Sequence, residues 1–146
     1  MIVYLFCVRK DGDIINASYM KSSPSDVVTL LATLNDIFSD EDFDIDKSFF
    51  FIDNHKNRQT LMDLDYGYAD VVAELKELQV SDYSESLLDR DNLNPPILYV
   101  FGKTIKGSEI YIKIKIREQE SRRVICVSFH HAEHSMPHPY APATSK

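Results

Sequence analysis

The stretch Ile110-Tyr111-Ile112-Lys113-Ile114-Lys115-Ile116 alternates isoleucine with an aromatic or cationic residue, without a break. A period of two is the signature of a β-strand, with same-face neighbours about 6.6–6.8 Å apart. One face is wholly apolar. The other presents Tyr111, Lys113 and Lys115, and Arg117 extends the row. Such a strand suits an antiparallel sheet packed on one side and open on the other. Downstream, Val124 to Phe129 is apolar on both faces, as in a central strand. The polar Arg117–Arg123 link is too short for a crossover helix, so the two segments are predicted to pair antiparallel. If Ile125, Val127 and Phe129 face the core, then Cys126, Ser128 and His130 face the side of Tyr111 and Lys113.

Upstream, Ile97 to Phe101 reads as another strand, with Gly102 and Gly107 framing a turn. Met1 to Val8 reads as a buried strand, Lys10-Asp11-Gly12-Asp13 as a turn, and Ile14 to Met20 as the returning arm of a hairpin. Ser23, Pro24 and Asp26 form a helix start of the capping-box type, followed at helical spacing by Val27, Leu30, Leu31, Leu34 and Phe38. Ser39 to Asp46 is an acidic loop. Ser48 to Ile52, with three consecutive Phe, is predicted to be a strand packed on both faces. Asp53 to Asn57 leads into a short helix carrying Leu61, Met62 and Leu64, and a second helix spans Tyr68 to Leu78. Residues 81–96 read as an exposed loop with little regular structure. From His130 the chain turns His- and Pro-rich, and 141–146 reads as a frayed tail.

The expected fold class is α+β, as one domain over residues 1–146. Residues 1–22 form an N-terminal hairpin extension, 23–96 a mainly helical part with its loop, and 97–140 an antiparallel sheet core with a His/Pro-rich end. The 146 residues are 44% hydrophobic and 27% charged, which excludes a wholly disordered chain. No apolar run approaches the ~20 residues of a membrane helix, and Met1–Val8 runs into Arg9-Lys10-Asp11 with no basic leader before it. No membrane partner and no signal peptide are therefore expected. Cys7 and Cys126 both sit in apolar runs, which fits reduced thiols in a cytoplasmic interior.

The net charge of −7 is uneven. Residues 1–98 carry 8 Lys and Arg against 19 Asp and Glu, a net −11, whereas residues 99–146 carry 8 against 4, a net +4. A polyanion would be repelled by the first part and attracted by the second.

Cations interleaved with an aromatic ring on one strand face match the demands of nucleic acid: charge for phosphates and a flat surface for a base. A bland reading stands beside it, because lysines and a tyrosine are ordinary on the wet side of an antiparallel strand. His130 brings a proton acceptor and donor near neutral pH, and a nearby ammonium can stabilise a phosphorane. His130, His134 and His138 recur every four residues, a metal-ligand spacing on a helix, but Pro137 and Pro139 oppose a continuous helix there. With four glycines in all, folds built on glycine-rich phosphate loops are disfavoured.

Taken in order, several segments resemble the toxins of MqsR type, small ribonucleases of bacterial toxin–antitoxin systems related in fold to RelE. These are Val100-Phe101-Gly102-Lys103, Glu109-Ile110-Tyr111-Ile112-Lys113-Ile114, Cys126-Val127-Ser128-Phe129-His130 with Ala132-Glu133, and Pro139-Tyr140. Lys56-Asn57 with Leu61 and Leu64, and Asp82-Tyr83-Ser84, extend the likeness over roughly residues 48–140. Residues 1–22 have no counterpart in it. The resemblance implies a RelE-like fold, a small antiparallel sheet against two or three helices. It implies a metal-independent endoribonuclease, an mRNA interferase that acts on mRNA, free or on the ribosome, is blocked by a cognate antitoxin, and needs no cofactor. Tyr111 and His130 would be catalytic by that likeness. In the scheme it suggests, Lys113 joins them, and Lys103, Lys115 and Arg117 bind RNA phosphates. The competing reading is a non-catalytic regulatory or protein-binding module derived from such a toxin.

Overall fold

The computed structural model describes residues 3–8, 14–90, 93, 95–118 and 121–142. Its strands are β1 (Val3–Val8), β2 (Ile14–Lys21), β3 (Phe49–Phe51), β4 (Tyr83–Leu88), β5 (Ile97–Ile105), β6 (Ser108–Arg117) and β7 (Arg123–His131). The helices are α1 (Pro24–Ser39), the one-turn α2 (Ile45–Ser48), α3 (His55–Leu64) and α4 (Tyr68–Lys76). All seven strands join one sheet in the order β1-β2-β4-β5-β6-β7-β3. The class is α+β.

The isoleucine strand behaves as its pattern dictates. Ile110, Ile112 and Ile114 are wholly buried and Ile116 nearly so. Each such burial is worth roughly 1.5–3 kcal/mol, and together they fix the register of β6 between β5 and β7. The β5–β6 hairpin closes through Lys106 and Gly107, both at positive φ (51° and 85°). That geometry matches the twist of the flanking strands and favours glycine at the second position. The pairing of β6 with β7 is antiparallel, as expected.

Helix α1 starts as its sequence requires. The Ser23 hydroxyl accepts from the Asp26 amide at 3.1 Å, and the Asp26 carboxylate accepts from the Ser23 amide at 3.2 Å. Its buried residues are the predicted five plus Ile37. With Leu64 of α3 and Val71, Val72 and Leu75 of α4 they cover one face of the sheet, which we call the inner face.

Five expectations are corrected. The sheet is mixed and larger than a small antiparallel one: β3 lies at its edge, parallel to β7, with Phe50 beside Ile125. Phe49 and Phe51 are buried, but Phe50, between them on the outer face, is 56% exposed. Residues 83–88, read as loop, form β4. Its polar Ser86 is fully buried because its hydroxyl bonds those of Tyr83 (2.8 Å) and Ser22 (2.7 Å), a hydrogen-bonded core that no apolar pattern announces. Of the apolar residues expected on α3, Leu64 is buried and Leu61 packs against the core, but Met62 is exposed, and Asn57 and Thr60 turn inward beside Leu64.

The fifth correction matters most. A β-bulge in β7 shifts the register between Lys113↔Ser128 and Ile114↔Cys126. The extra residue, Val127, breaks the alternation. Val124, Cys126 and Phe129 all pack in the core, whereas Ile125, Val127, Ser128 and His130 belong to the outer face. Cys126 is therefore not on the side of Tyr111. Burial pushes its thiol pKa far up, as befits an inert core residue.

The predicted hairpin joins the sheet through β2, which pairs with both β1 and β4. Its expected turn at Lys10–Asp13 lies outside the described residues. Among the described residues no helix is long and apolar enough to cross a membrane.

Candidate active site

Two adjacent rows cross the outer face. In the first, Glu85 of β4, Val100 of β5, Lys113 of β6 and Ser128 of β7 are successive partners. In the second, Gly102, Tyr111 and His130 follow one another in the same way. The rows bring Tyr111, Lys113 and His130 together with Glu85 and Ser128 in a cleft of about 450 Å³, whose further wall is the segment from Glu133 to Pro137.

The rings of Tyr111 and His130 stack, with centroids 5.2 Å apart and planes 11° from parallel. The His130 Nδ1 lies 3.0 Å from the carbonyl oxygen of His131. A carbonyl only accepts, so Nδ1 carries the proton and donates. The neutral ring then keeps Nε2 as its acceptor. Stacking and hydrogen bond together hold the imidazole in one plane and one tautomer. Tyr111 thus gives one ring face to His130.

Glu85 and Lys113 are both partly buried. Burial raises the Glu85 pKa, and the Lys113 charge only partly offsets it. Burial lowers the Lys113 pKa against the opposing pull of Asp89 and Glu85. Each group is thereby moved toward neutral pH, where exchanging a proton is easiest. Glu85 was missed in the sequence because the strand that carries it was read as loop.

The bulge that presents Ser128 and His130 has a clamp. β3 ends at Phe51, and beyond it side chains of α3 take the place of a neighbouring strand along β7. Asn57, fully buried, donates through Nδ2 to the carbonyls of Ile52 (2.9 Å) and Val127 (3.1 Å), and its Oδ1 accepts from the Phe129 amide (3.0 Å). Thr60 Oγ1 accepts from the His131 amide at 3.2 Å. The backbone groups that a bulge leaves unpaired are thus satisfied on either side of Ser128. Lys56, on the first turn of α3, pairs with Glu133 at the rim of the cleft.

The tail is also held. Met136 and His138 sit against Gly102, where an added Cβ would come within 2.8 Å of the Met136 sulfur and 2.9 Å of His138 Cε1. Glycine is needed there for close approach. Tyr140 stacks on Tyr83 (5.5 Å, 13°) and donates to the Ser22 carbonyl at 2.5 Å.

The other sequence-predicted residues lie elsewhere. Lys103 is on the inner face, because β5 alternates Phe101 in, Gly102 out, Lys103 in. Its ammonium bonds Glu74 (3.1 Å) and Glu77 (3.0 Å) at α4. Burial pulls its pKa down, and those hydrogen bonds more than offset it. Lys115 is on the outer face but buried, ion-paired to Asp89 at 2.5 Å. Neither ammonium is placed to meet a phosphate in the cleft. Arg117 lies beyond Lys115 on the same face, opposite Arg123. His138 faces Glu109 at 3.5 Å, and among the described residues no three His, Cys, Asp or Glu side chains converge to hold a metal ion.

Compared with family models, with curated proteins and with solved structures, the chain matches none. The functional reading therefore rests on the chemistry of the cleft.

Proposed function

We propose that the protein is an endoribonuclease that cleaves single-stranded RNA by attack of a ribose 2′-hydroxyl on its own 3′-phosphate. The observation that carries this reading is the convergence of His130, Tyr111, Lys113 and Glu85 on one cleft. His130 Nε2 takes the 2′-hydroxyl proton as the 2′-oxygen bonds to phosphorus. The Lys113 ammonium faces the charge that builds on the phosphoryl oxygens, and the Tyr111 hydroxyl donates to the same group. Burial favours the protonated form of Glu85, and an anionic phosphate beside it favours that form further. Glu85 then gives its proton to the departing 5′-oxygen as the P–O bond breaks. The products are a 2′,3′-cyclic phosphate and a free 5′-hydroxyl. Proton transfer and one ammonium complete the balance, and no metal is called for.

The antiparallel run β4–β7 with helices on one face is compatible with the RelE-like architecture that the MqsR-type resemblance implies. In this reading mRNA is the substrate and a cognate antitoxin restrains the enzyme. The test is incubation of the purified protein with single-stranded RNA and with translating ribosomes, in EDTA, with analysis of product ends. Cyclic-phosphate ends are expected. Intact RNA in both settings, from folded protein free of any antitoxin, would favour the non-catalytic binding module.

A further inference from the structure

The outer face holds a second depression, of about 390 Å³, which the proposed chemistry does not use. Its walls are apolar, formed by Phe50, Ile52, Ile125 and Val127, and Arg117 and Arg123 also line it. Phe50 is the notable member. It stands next to Ile125 in the β3–β7 ladder and is 56% exposed, between two phenylalanines at 5% and 7%. Arg117 and Arg123 are direct partners across β6 and β7. Lys115 also borders the depression, but its charge is cancelled by Asp89. The two guanidinium groups thus give the site its positive charge.

This depression and the cleft share a face and the same two strands. Along β6, Lys113 and Arg117 are four residues apart, about 13 Å at strand rise, a span of a few nucleotides of extended chain. An exposed ring with cations beside it, in line with a phosphate-handling cleft, suits one class of ligand.

We propose that the depression is a second nucleotide subsite. A base of single-stranded RNA stacks on Phe50 against Ile125 and Val127, and the adjoining phosphate meets Arg117 and Arg123. This rests on the reading of the first cleft as the RNA site. Because stacking accepts any base, the subsite contributes affinity that grows with RNA length and carries little sequence preference. It also explains how a chain of net charge −7 holds a polyanion: the contacts are local to one face.

The test uses uncleavable 2′-O-methyl RNA, as a dinucleotide and as an octanucleotide of mixed sequence, with affinities read by fluorescence anisotropy. The octanucleotide is expected to bind more tightly. Phe50→Ala should weaken octanucleotide binding by roughly 5–150-fold, the loss of one stacked base, so that its advantage over the dinucleotide collapses. Phe50→Trp should restore it. Arg117→Ala with Arg123→Ala should flatten the salt dependence of octanucleotide binding. Phe50 is exposed, so its variants are expected to keep the fold, and circular dichroism checks this. If Phe50→Ala and the unmutated protein bind the octanucleotide equally while Lys113→Ala weakens it, the second subsite is refuted and the first cleft stands. If neither oligonucleotide binds, the RNA reading of the first cleft falls, and this inference with it. An apolar peptide that saturates the depression without competing with RNA would also overturn the proposal.

Discussion

Asn57→Ala is the most informative single change to the scaffold. The side chain is fully buried and satisfies three backbone groups, the carbonyls of Ile52 and Val127 and the amide of Phe129. A buried polar group left without a partner costs about 1–3 kcal/mol. Three of them give roughly 3–9 kcal/mol, and water entering the space left by the amide brings the expected loss toward the lower end. Set against the roughly 5–15 kcal/mol of a typical domain, that is a large fraction. Urea unfolding at equilibrium measures it. Asn57→Asp sharpens the test, because the shape is kept while the Nδ2 donor becomes a second oxygen facing two carbonyls. The introduced carboxyl must be protonated to fit, so its folded-state pKa is raised above the ordinary ~3.9. The sign follows: the folded state binds that proton more tightly than the unfolded state. The variant should therefore be most stable at acid pH and lose stability as pH climbs from ~4 through the raised value, relative to the unmutated protein. A cost below about 1 kcal/mol for Asn57→Ala, or pH-independent relative stability for Asn57→Asp, would refute the clamp.

Glu85 has a raised pKa from burial, so its ionisation opposes folding at pH above the unfolded-state value. Glu85→Gln should gain stability relative to the unmutated protein as pH rises from ~4 toward neutrality, and should remove a proton donor from the cleavage pH profile. Stability curves that stay parallel across that range would contradict the assignment. Lys115 and Lys113 should separate cleanly. Lys115→Ala removes the buried ammonium that pairs with Asp89 and should lower stability in urea unfolding, with little loss of RNA affinity in the folded fraction. Lys113→Ala should weaken RNA binding and flatten its salt dependence. Lys103→Ala should leave RNA affinity unchanged, because its ammonium lies across the sheet against Glu74 and Glu77; a measured loss in filter binding would contradict that placement.

The isoleucine strand, its antiparallel partner and the capped helix α1 were legible because each is fixed by local pattern alone. Tyr111 and Lys113 share a face as their parity required, whereas His130 joins them through the bulge at Val127. The phase of β7 was not legible, since a bulge at Val127 has no signal of its own. It depends on Asn57, 70 positions away in sequence, which reads merely as a polar residue at a helix start. Lys103 followed Gly102 into what looked like an exposed turn. The glutamates that claim it sit on or just after a helix whose packing the sequence does not announce. Lys115 shared its face with Lys113, and nothing near it in the chain foretold Asp89. β4 escaped notice because hydrogen bonds among Tyr83, Ser86 and Ser22 do there what apolar alternation does in β6. Phe50 was lost inside a triple-phenylalanine run, although a parity of two already places it opposite its neighbours.

In the proposed reaction His130 is the group that takes the 2′-hydroxyl proton. Single-turnover cleavage of end-labelled single-stranded RNA, in EDTA, by the unmutated protein and by His130→Ala at matched occupancy tests this most directly. The expected result is cleavage to 2′,3′-cyclic phosphate ends by the unmutated protein. The His130→Ala variant should bind RNA with nearly the same affinity and cleave it about 10²–10⁴-fold more slowly. Equal cleavage rates for the two folded proteins would contradict the account.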